Sequence, residues 1–369
     1  MIFFIRSFVA DLDGRLNKYF RALDAADVAY HFIGWNKDGS GRAGSTRQTL
    51  FQLRAQLGGG WRNVYALLRF NIFILTKLWR SRKRLKVVHA VDLDTAVVCW
   101  IFCKLFRKAF VFDIYDKYTA VRNISGFARE LLDRLETHIA KSADLTLIVS
   151  GERYRQHGLN PASENVQVLE NVPMSTHVAA SDPTSAHRPW KLGYFGVLEP
   201  RHRGLEDLLA VAAAREDVEL HIAGYGSLAR AFAAAASRHA HIRYYGPMRS
   251  QEGLALMAQM DVVVGMYYLT VPNHAFASPN KYYEHLLLRR GMLSTLGTPP
   301  GGKVVAQGSG WAIAEGASAI AAWLDKLKAD DILTAGASAG RVWDEKYASY
   351  YSTYYKGLYI SCIKKLLGR

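Results

Sequence analysis

Ser278, Pro279, Asn280, Lys281, Tyr282, Tyr283 and Glu284 form a run that joins a helix start to groups able to hold an anion. Ser278 suits the cap position, Pro279 the first helical position, and Leu286, Leu287 and Leu288 the buried continuation. One residue departs from helix-building rules. A capping box would place Glu or Gln three positions after the cap, and this chain has Lys281 there. A cation in the first turn opposes the helix dipole by about 0.3–1 kcal/mol. The conflict resolves if an anion sits at this N-terminus, held by backbone N–H groups and the ammonium together. Glu284, about one turn further on, is then placed to accept hydrogen bonds from the two hydroxyls of a ribose. The run points to a nucleoside diphosphate. A capped surface helix with a solvated lysine is the plain alternative.

Such a run needs strands to carry it. Short apolar segments alternate with helical patterns along the whole chain, which argues for parallel sheets. In the first half, strands are expected near residues 2–5, 29–33, 86–89, 109–112 and 145–149. In the second half they are expected near 191–195, 218–223, 242–245, 262–266 and 291–294. Residues 175–189, rich in Ser, Thr, Ala and Pro, read as a linker between the halves. Residues 343–367 read as a helical segment crowded with tyrosines, which favours packing over chemistry.

Three glycine turns follow strands of the second half: Gly196, then Gly224-Tyr225-Gly226, then Gly246. At carboxyl ends of parallel strands glycine lets backbone approach a ligand. Arg201 and Arg203, in the loop after the first turn, would bring guanidinium groups to a diphosphate there.

The chain has 369 residues, is 50% hydrophobic and carries a formal charge of +15, so acidic partners are expected. Its length allows two domains with separate cores. Cys99, Cys103 and Cys362 have neither zinc-site spacing nor disulfide-framework density, which fits a reducing cytosol. The distribution of charge is uneven. Between Asp38 and Asp92 there is no carboxylate, while Lys and Arg recur from Arg42 to Lys86. Within that region residues 61–84 have helical periodicity, with Val64, Leu68, Ile72, Leu75 and Trp79 on one face. A basic amphipathic helix of this kind suits an anionic membrane surface. The alternative is that the apolar face packs into the core and the basic face is solvated. Zinc-finger, RNA-recognition and helix-turn-helix signatures are missing, so nucleic acid is not an expected partner.

Taken in order, these motifs resemble GT-B glycosyltransferases, specifically the retaining family 4 group and its SPNK subgroup. The resemblance rests on Gly196 to Gly204, the HIAGYG turn at His221 to Gly226, YYGPM at Tyr244 to Met248, and SPNKYYEHLLLRRGML at Ser278 to Leu293. More loosely, the first half is similar at DLDGR near Asp11, HAVDLDT at His89 to Thr95, DIYD at Asp113 to Asp116, and LENVP at Leu169 to Pro173. It implies an α/β fold of two Rossmann-like domains facing each other across a cleft. Residues 1–180 would bind acceptor, 190–341 would bind nucleotide-sugar, and a helix over 342–369 would cross back to the first domain.

By the same resemblance, Glu284 would bind ribose, Arg203 and Lys281 the diphosphate, and Gly224 to Gly226 would lie near the base. Ser278, Pro279, Asn280, Gly196 and Arg201 complete the expected donor set, and Asp116 joins Arg203, Lys281 and Glu284 as the catalytic set. Asp13, Gly14, Arg15, Asp92 and Tyr115 are expected on the acceptor side, although Asp13, Asp113 and Asp116 equally suit turns and caps. The reaction implied is transfer of a sugar from a UDP- or GDP-linked donor, with retention, to a lipid-linked saccharide. It would serve polysaccharide or glycoconjugate synthesis at the cytoplasmic face of the plasma membrane, with residues 61–86 as the peripheral contact. The leaving diphosphate would be stabilised by Arg203, Lys281 and the helix start. No metal is expected, because Asp92-Leu93-Asp94 offers two carboxylates without a third ligand. His89 and His221 are expected to be satisfied strand histidines. Three positions depart from the family pattern: Val197 and Phe276 replace a common Arg and Glu, and Tyr115 replaces a common His. These departures keep open a degenerate GT-B chain that binds nucleotide or glycan without turnover.

Overall fold

A computed structural model describes residues 1–37, 46–55, 60–174, 182–183 and 185–368. Arg42, the side chains of Trp61 and Arg62, and most of the expected linker lie outside the described residues. The chain divides into two compact units, Met1–Glu170 with Tyr350–Arg369, and Asn171–Ser349.

The first unit is built on seven parallel strands: β1 (Ile2–Arg6), β2 (Tyr30–Asn36), β3 (Gln48–Gln52), β4 (Val87–Val91), β5 (Ala109–Ile114), β6 (Leu145–Ile148) and β7 (Val166–Val168). Their order is β3-β2-β1-β4-β5-β6-β7, so the topology reverses between β1 and β4. Central strands such as IFFIR and VVHAV read as continuous apolar runs because helices cover both faces. The second unit has β8 (Trp190–Val197), β9 (Val218–Tyr225), β10 (Ile242–Tyr244), β11 (Val262–Gly265), β12 (Gly291–Thr295) and β13 (Gly310–Ile313), in the order β10-β9-β8-β11-β12-β13. Here the reversal lies between β8 and β11. Both units are therefore Rossmann-like. The expected strands are all present with ends shifted by a few residues; the pattern does not foresee β3, β7 and β13.

Helix Gly60–Ser81 is real, and its faces answer the question left open by periodicity. The core face is Ala66, Phe70, Ile74 and Leu78, which join the core of the first unit. The face expected to seek an apolar partner points outward: Val64, Leu68, Ile72, Leu75 and Trp79 are 38–59% exposed. Both faces are apolar, nearly opposite one another, with Arg69 and Arg80 exposed between them. The core-packed alternative fails for the outward set because a different row of residues already fills the core. Helix Gly126–Ser142 behaves similarly at its start, where Phe127 and Leu131 are exposed while Ile139 is buried.

The tyrosine-rich segment runs as widened π-type turns over Trp343–Tyr347 and Tyr351–Tyr359, then as α-helix Ile360–Leu367. Tyr355 and Tyr359 are fully buried against Tyr19, with ring centroids 5.3 and 4.5 Å away. His89 lies 3.0 Å from the Tyr359 hydroxyl and 3.4 Å from Asp113. His221 lies 2.9 Å from the Tyr245 hydroxyl and 3.4 Å from Glu219. Both histidines have partners on each ring nitrogen.

Candidate active site

In the second unit the site grows from the carboxyl edge of the sheet. β8 and β9 pair in register through Gly196 with Gly224 and Val197 with Tyr225. Gly224 has φ 145°, and a Cβ there would collide with the Gly196 carbonyl, so the two strand ends approach as only glycine permits. The Gly224 N–H donates to the Gly246 carbonyl at 2.8 Å, which ties the third glycine turn to the second. The three turns therefore stand side by side across β8, β9 and β10.

Helix Asn280–Leu287 meets this edge, starting one residue later than the sequence pattern predicts. Pro279, extended at φ −76° and ψ 148°, occupies the cap position, and no side chain caps the helix. Ser278 instead directs its hydroxyl toward the Tyr283 hydroxyl, 3.4 Å away. Proline brings no N–H of its own, and the first-turn amides of Asn280 and Lys281 have no capping side chain. This correction leaves the helix start more open to an anion than a serine cap would.

Lys281, in the first turn, donates to the Phe195 carbonyl and holds its ammonium 4.2 Å from the centre of the Tyr194 ring. A Cβ on Gly196 would come within 2.7 Å of that ammonium, so glycine is needed for the lysine to reach the strand end. Burial lowers the Lys281 pKa to about 8; Glu284 opposes this shift and Arg203 adds to it. Arg203 donates from Nε to Glu199 at 3.2 Å, and its guanidinium carbon sits 5.2 Å from the centre of the Tyr267 ring. Tyr194 donates its hydroxyl to the Val197 carbonyl at 2.7 Å, and the Tyr267 N–H donates to Thr295 at 2.9 Å. Two cations are thus held together at the strand ends, walled by tyrosines.

Of the expected donor set, the structure brings together Gly196, Gly224, Arg203, Lys281 and Glu284. Tyr225 and Gly226 continue the β9 turn, with Tyr225 exposed. Arg201 is not brought in: it is exposed at φ 67°, its N–H donates to Glu206, and it is outside the charges coupled to Lys281. Tyr194, Tyr267 and Glu199 stand against Lys281 and Arg203, and sequence reasoning did not single them out. Their signal was position: Tyr194 lies two residues before Gly196, and Tyr267 lies just past the end of β11.

In the first unit the expected acceptor-side residues also gather at the carboxyl edge, where most hold the fold. Asp13 caps helix Gly14–Ala25 by accepting from the Arg15 and Leu16 N–H groups at 3.0 Å, and it pairs with Arg6. Gly14, at the exposed start of that helix, has open space around its α-carbon. Arg15 clamps Asp113 through two bonds of 3.0 and 3.2 Å and also reaches the Leu169 carbonyl. Burial alone would raise the Asp113 pKa, but Arg15 and His89 outweigh it and hold the value at about 2. Asp92 accepts the Tyr115 N–H at 3.0 Å, and burial pushes its pKa up to about 7, with Arg6 opposing and Asp94 adding. Tyr115 lies under Arg6, whose guanidinium is 4.0 Å from the ring centre. Asp116 is half-exposed and accepts from Arg153 at 2.7 Å. Among the described residues no three His, Cys, Asp or Glu side chains are grouped as a metal site would need.

No family model matches the chain, and no curated protein matches it in sequence. Solved structures do match. The fold is similar to sucrose-phosphate synthase from Thermosynechococcus elongatus, at 14% identity and a TM-score of 0.69, covering 100% of this chain and 98% of the other. It is similar to Anabaena HepE in complex with UDP and glucose, at 13% identity and a TM-score of 0.67 over 99% of both chains. The lipopolysaccharide outer core galactosyltransferase WaaB is a third, at 14% identity and a TM-score of 0.64 over 99% of both. The fold is that of the GT-B glycosyltransferases, with two parallel-sheet Rossmann-like units. At these identities the likeness is one of fold.

Proposed function

We propose that this chain is a retaining glycosyltransferase of the family 4 type, using a UDP- or GDP-linked sugar. The observation that carries the reading is Lys281: a cation held against burial beside Arg203, at an uncapped helix start on a glycine-lined strand edge. That arrangement is costly for a protein without a ligand and favourable once an anion arrives. The fold is shared with HepE, whose structures hold UDP and UDP-glucose.

In this reading Lys281, Arg203 and the first-turn amides take the diphosphate, and Glu284 takes the ribose hydroxyls. The bond from the anomeric carbon to the diphosphate oxygen breaks, and the cations stabilise the charge that develops on that oxygen, with no metal required. The acceptor hydroxyl oxygen joins the same face of the sugar, and its proton passes to the departing diphosphate. Asp116, the partly exposed carboxylate of the first unit's edge, is assigned to the acceptor or transferred sugar. We place the protein at the cytoplasmic membrane face with a lipid-linked saccharide acceptor, on the strength of the carboxylate-free basic segment 61–86.

Calorimetric titration of UDP and GDP tests the donor site. Micromolar binding of one nucleotide is expected, weakened about tenfold or more (~1.4 kcal/mol) by Glu284→Ala. If neither nucleotide binds, the assignment fails. Tyr115 favours a second reading, a nucleotide-binding chain without turnover, because a phenol held beneath Arg6 cannot exchange protons as an imidazole does. Nucleotide binding without donor hydrolysis or transfer across a panel of sugars would select it.

A further inference from the structure

The outward stripe of helix Gly60–Ser81 continues onto a second helix. Helix Leu93–Phe106 packs beside it, with the Trp79 ring edge-on to Phe106 at 5.2 Å. Ile101 and Leu105, 51% and 73% exposed, extend the apolar surface across that helix. The exposed charges on the two helices and the segment joining them are of one sign. Between Asp38 and Asp92 the sequence has no carboxylate, and the only one on the second helix, Asp94, is buried and bonded to Ser7 and Arg122. Exposed Arg69, Arg80, Lys83, Lys104 and Arg107 lie along and beyond the stripe.

We propose that this two-helix face seats in the interfacial layer of an anionic bilayer. Its apolar side chains enter the acyl boundary, and the surrounding Lys and Arg meet the headgroup phosphates. The charge pattern decides among occupants. A second copy of the chain would place this cationic face against itself about a two-fold axis, with no exposed carboxylate on either helix to answer it. Nucleic acid would satisfy the cations but leave a row of aliphatic side chains against a polyanion. A bilayer surface satisfies both. No helix among the described residues is long and apolar enough to cross a membrane, so the contact is with one leaflet.

The proposal names the same partner as the membrane reading above and rests on it only for that. It adds a second helix outside residues 61–86 and requires insertion, not surface attraction alone. Its test is independent of nucleotide binding. The full chain is floated with phosphatidylcholine vesicles and with vesicles that also contain phosphatidylglycerol. Binding is expected to the second, reduced about tenfold or more by Leu68→Glu/Ile72→Glu, and likewise by Ile101→Glu/Leu105→Glu. All four residues are exposed, and an unchanged circular dichroism spectrum and thermal melt report that each variant is folded. With acyl-brominated lipids, tryptophan fluorescence is expected to be quenched in the wild type, and that quenching to fall in Trp79→Phe. Partition unaffected by the Ile101→Glu/Leu105→Glu pair, no Trp79-dependent quenching, or binding abolished by high salt would each overturn insertion. Equal binding to neutral vesicles would overturn the anionic preference. Vesicle binding that fails while UDP or GDP still binds removes this proposal and leaves the donor site standing.

Discussion

At the carboxyl edge of the first sheet, Arg15 is gripped by both oxygens of Asp113 and Arg6 pairs with Asp13. At the corresponding edge of the second sheet, Lys281 holds its charge against a backbone carbonyl and the face of a tyrosine. The first arrangement neutralises buried charge within the fold. The second keeps it available and carries the desolvation penalty in the unliganded state. Similar parallel sheets thus differ: one edge uses its ions to hold itself together, and in the proposed reading the other keeps Lys281 for a ligand.

The contrast predicts opposite outcomes for charge removal. Asp113→Ala strands a buried guanidinium and should cost about 3–5 kcal/mol of unfolding free energy, read by urea denaturation. Lys281→Ala should weaken nucleotide binding by about 1.5–3 kcal/mol, or ~10- to 150-fold, with stability equal to or above that of the wild type. If Lys281→Ala instead unfolds the protein while Asp113→Ala does not, the comparison is the wrong way round.

Both edges should gain stability as pH rises, but in separate windows. Asp113, at about 2 against 3.8 unperturbed, contributes stability above about pH 4 that is lost as pH falls through 2. Lys281, at about 8 against 10.5, leaves the unfolded chain binding the extra proton between those values, so its contribution to stability grows as pH rises through that window. Binding of a diphosphate needs the protonated form. The nucleotide Kd should therefore rise toward about tenfold per pH unit above pH 8, with proton uptake seen as a buffer-dependent calorimetric enthalpy. The smallest effect is expected at Arg201, exposed and outside the coupled charges. Arg201→Ala should change nucleotide affinity by less than about 0.5 kcal/mol.

Much of this was legible in the sequence for physical reasons. Buried parallel strands leave near-continuous apolar runs, so β1, β4, β5 and β11 stand out. Edge strands QTLFQ, VQV and GWAI do not, being short or mixed and buried on fewer sides. Periodicity found the stripe Val64 to Trp79 but did not say which way it faced, because Ala66, Phe70, Ile74 and Leu78 recur at the same spacing. Lys281 was visible as a violation of capping rules, although the cap itself falls on Pro279. Tyr194 and Tyr267 were not, since a tyrosine in or beside a strand looks like core until Lys281 and Arg203 are placed in space. Asp13 and Arg15 show the converse. Polar residues at a strand end suggest a ligand, and only their partners reveal that they bind the protein itself.

The first unit is discontinuous, and that sets an order of events during synthesis. Tyr359, which reaches His89 beside the Arg15–Asp113 pair, emerges from the ribosome only after all of residues 171–349. At typical translation rates that delay is on the order of 10–40 s. Throughout it the second unit can close while the first waits with an ion pair and several aromatic rings uncovered. The earlier-made half is thus the later to finish, and it is the half a chaperone would most need to hold.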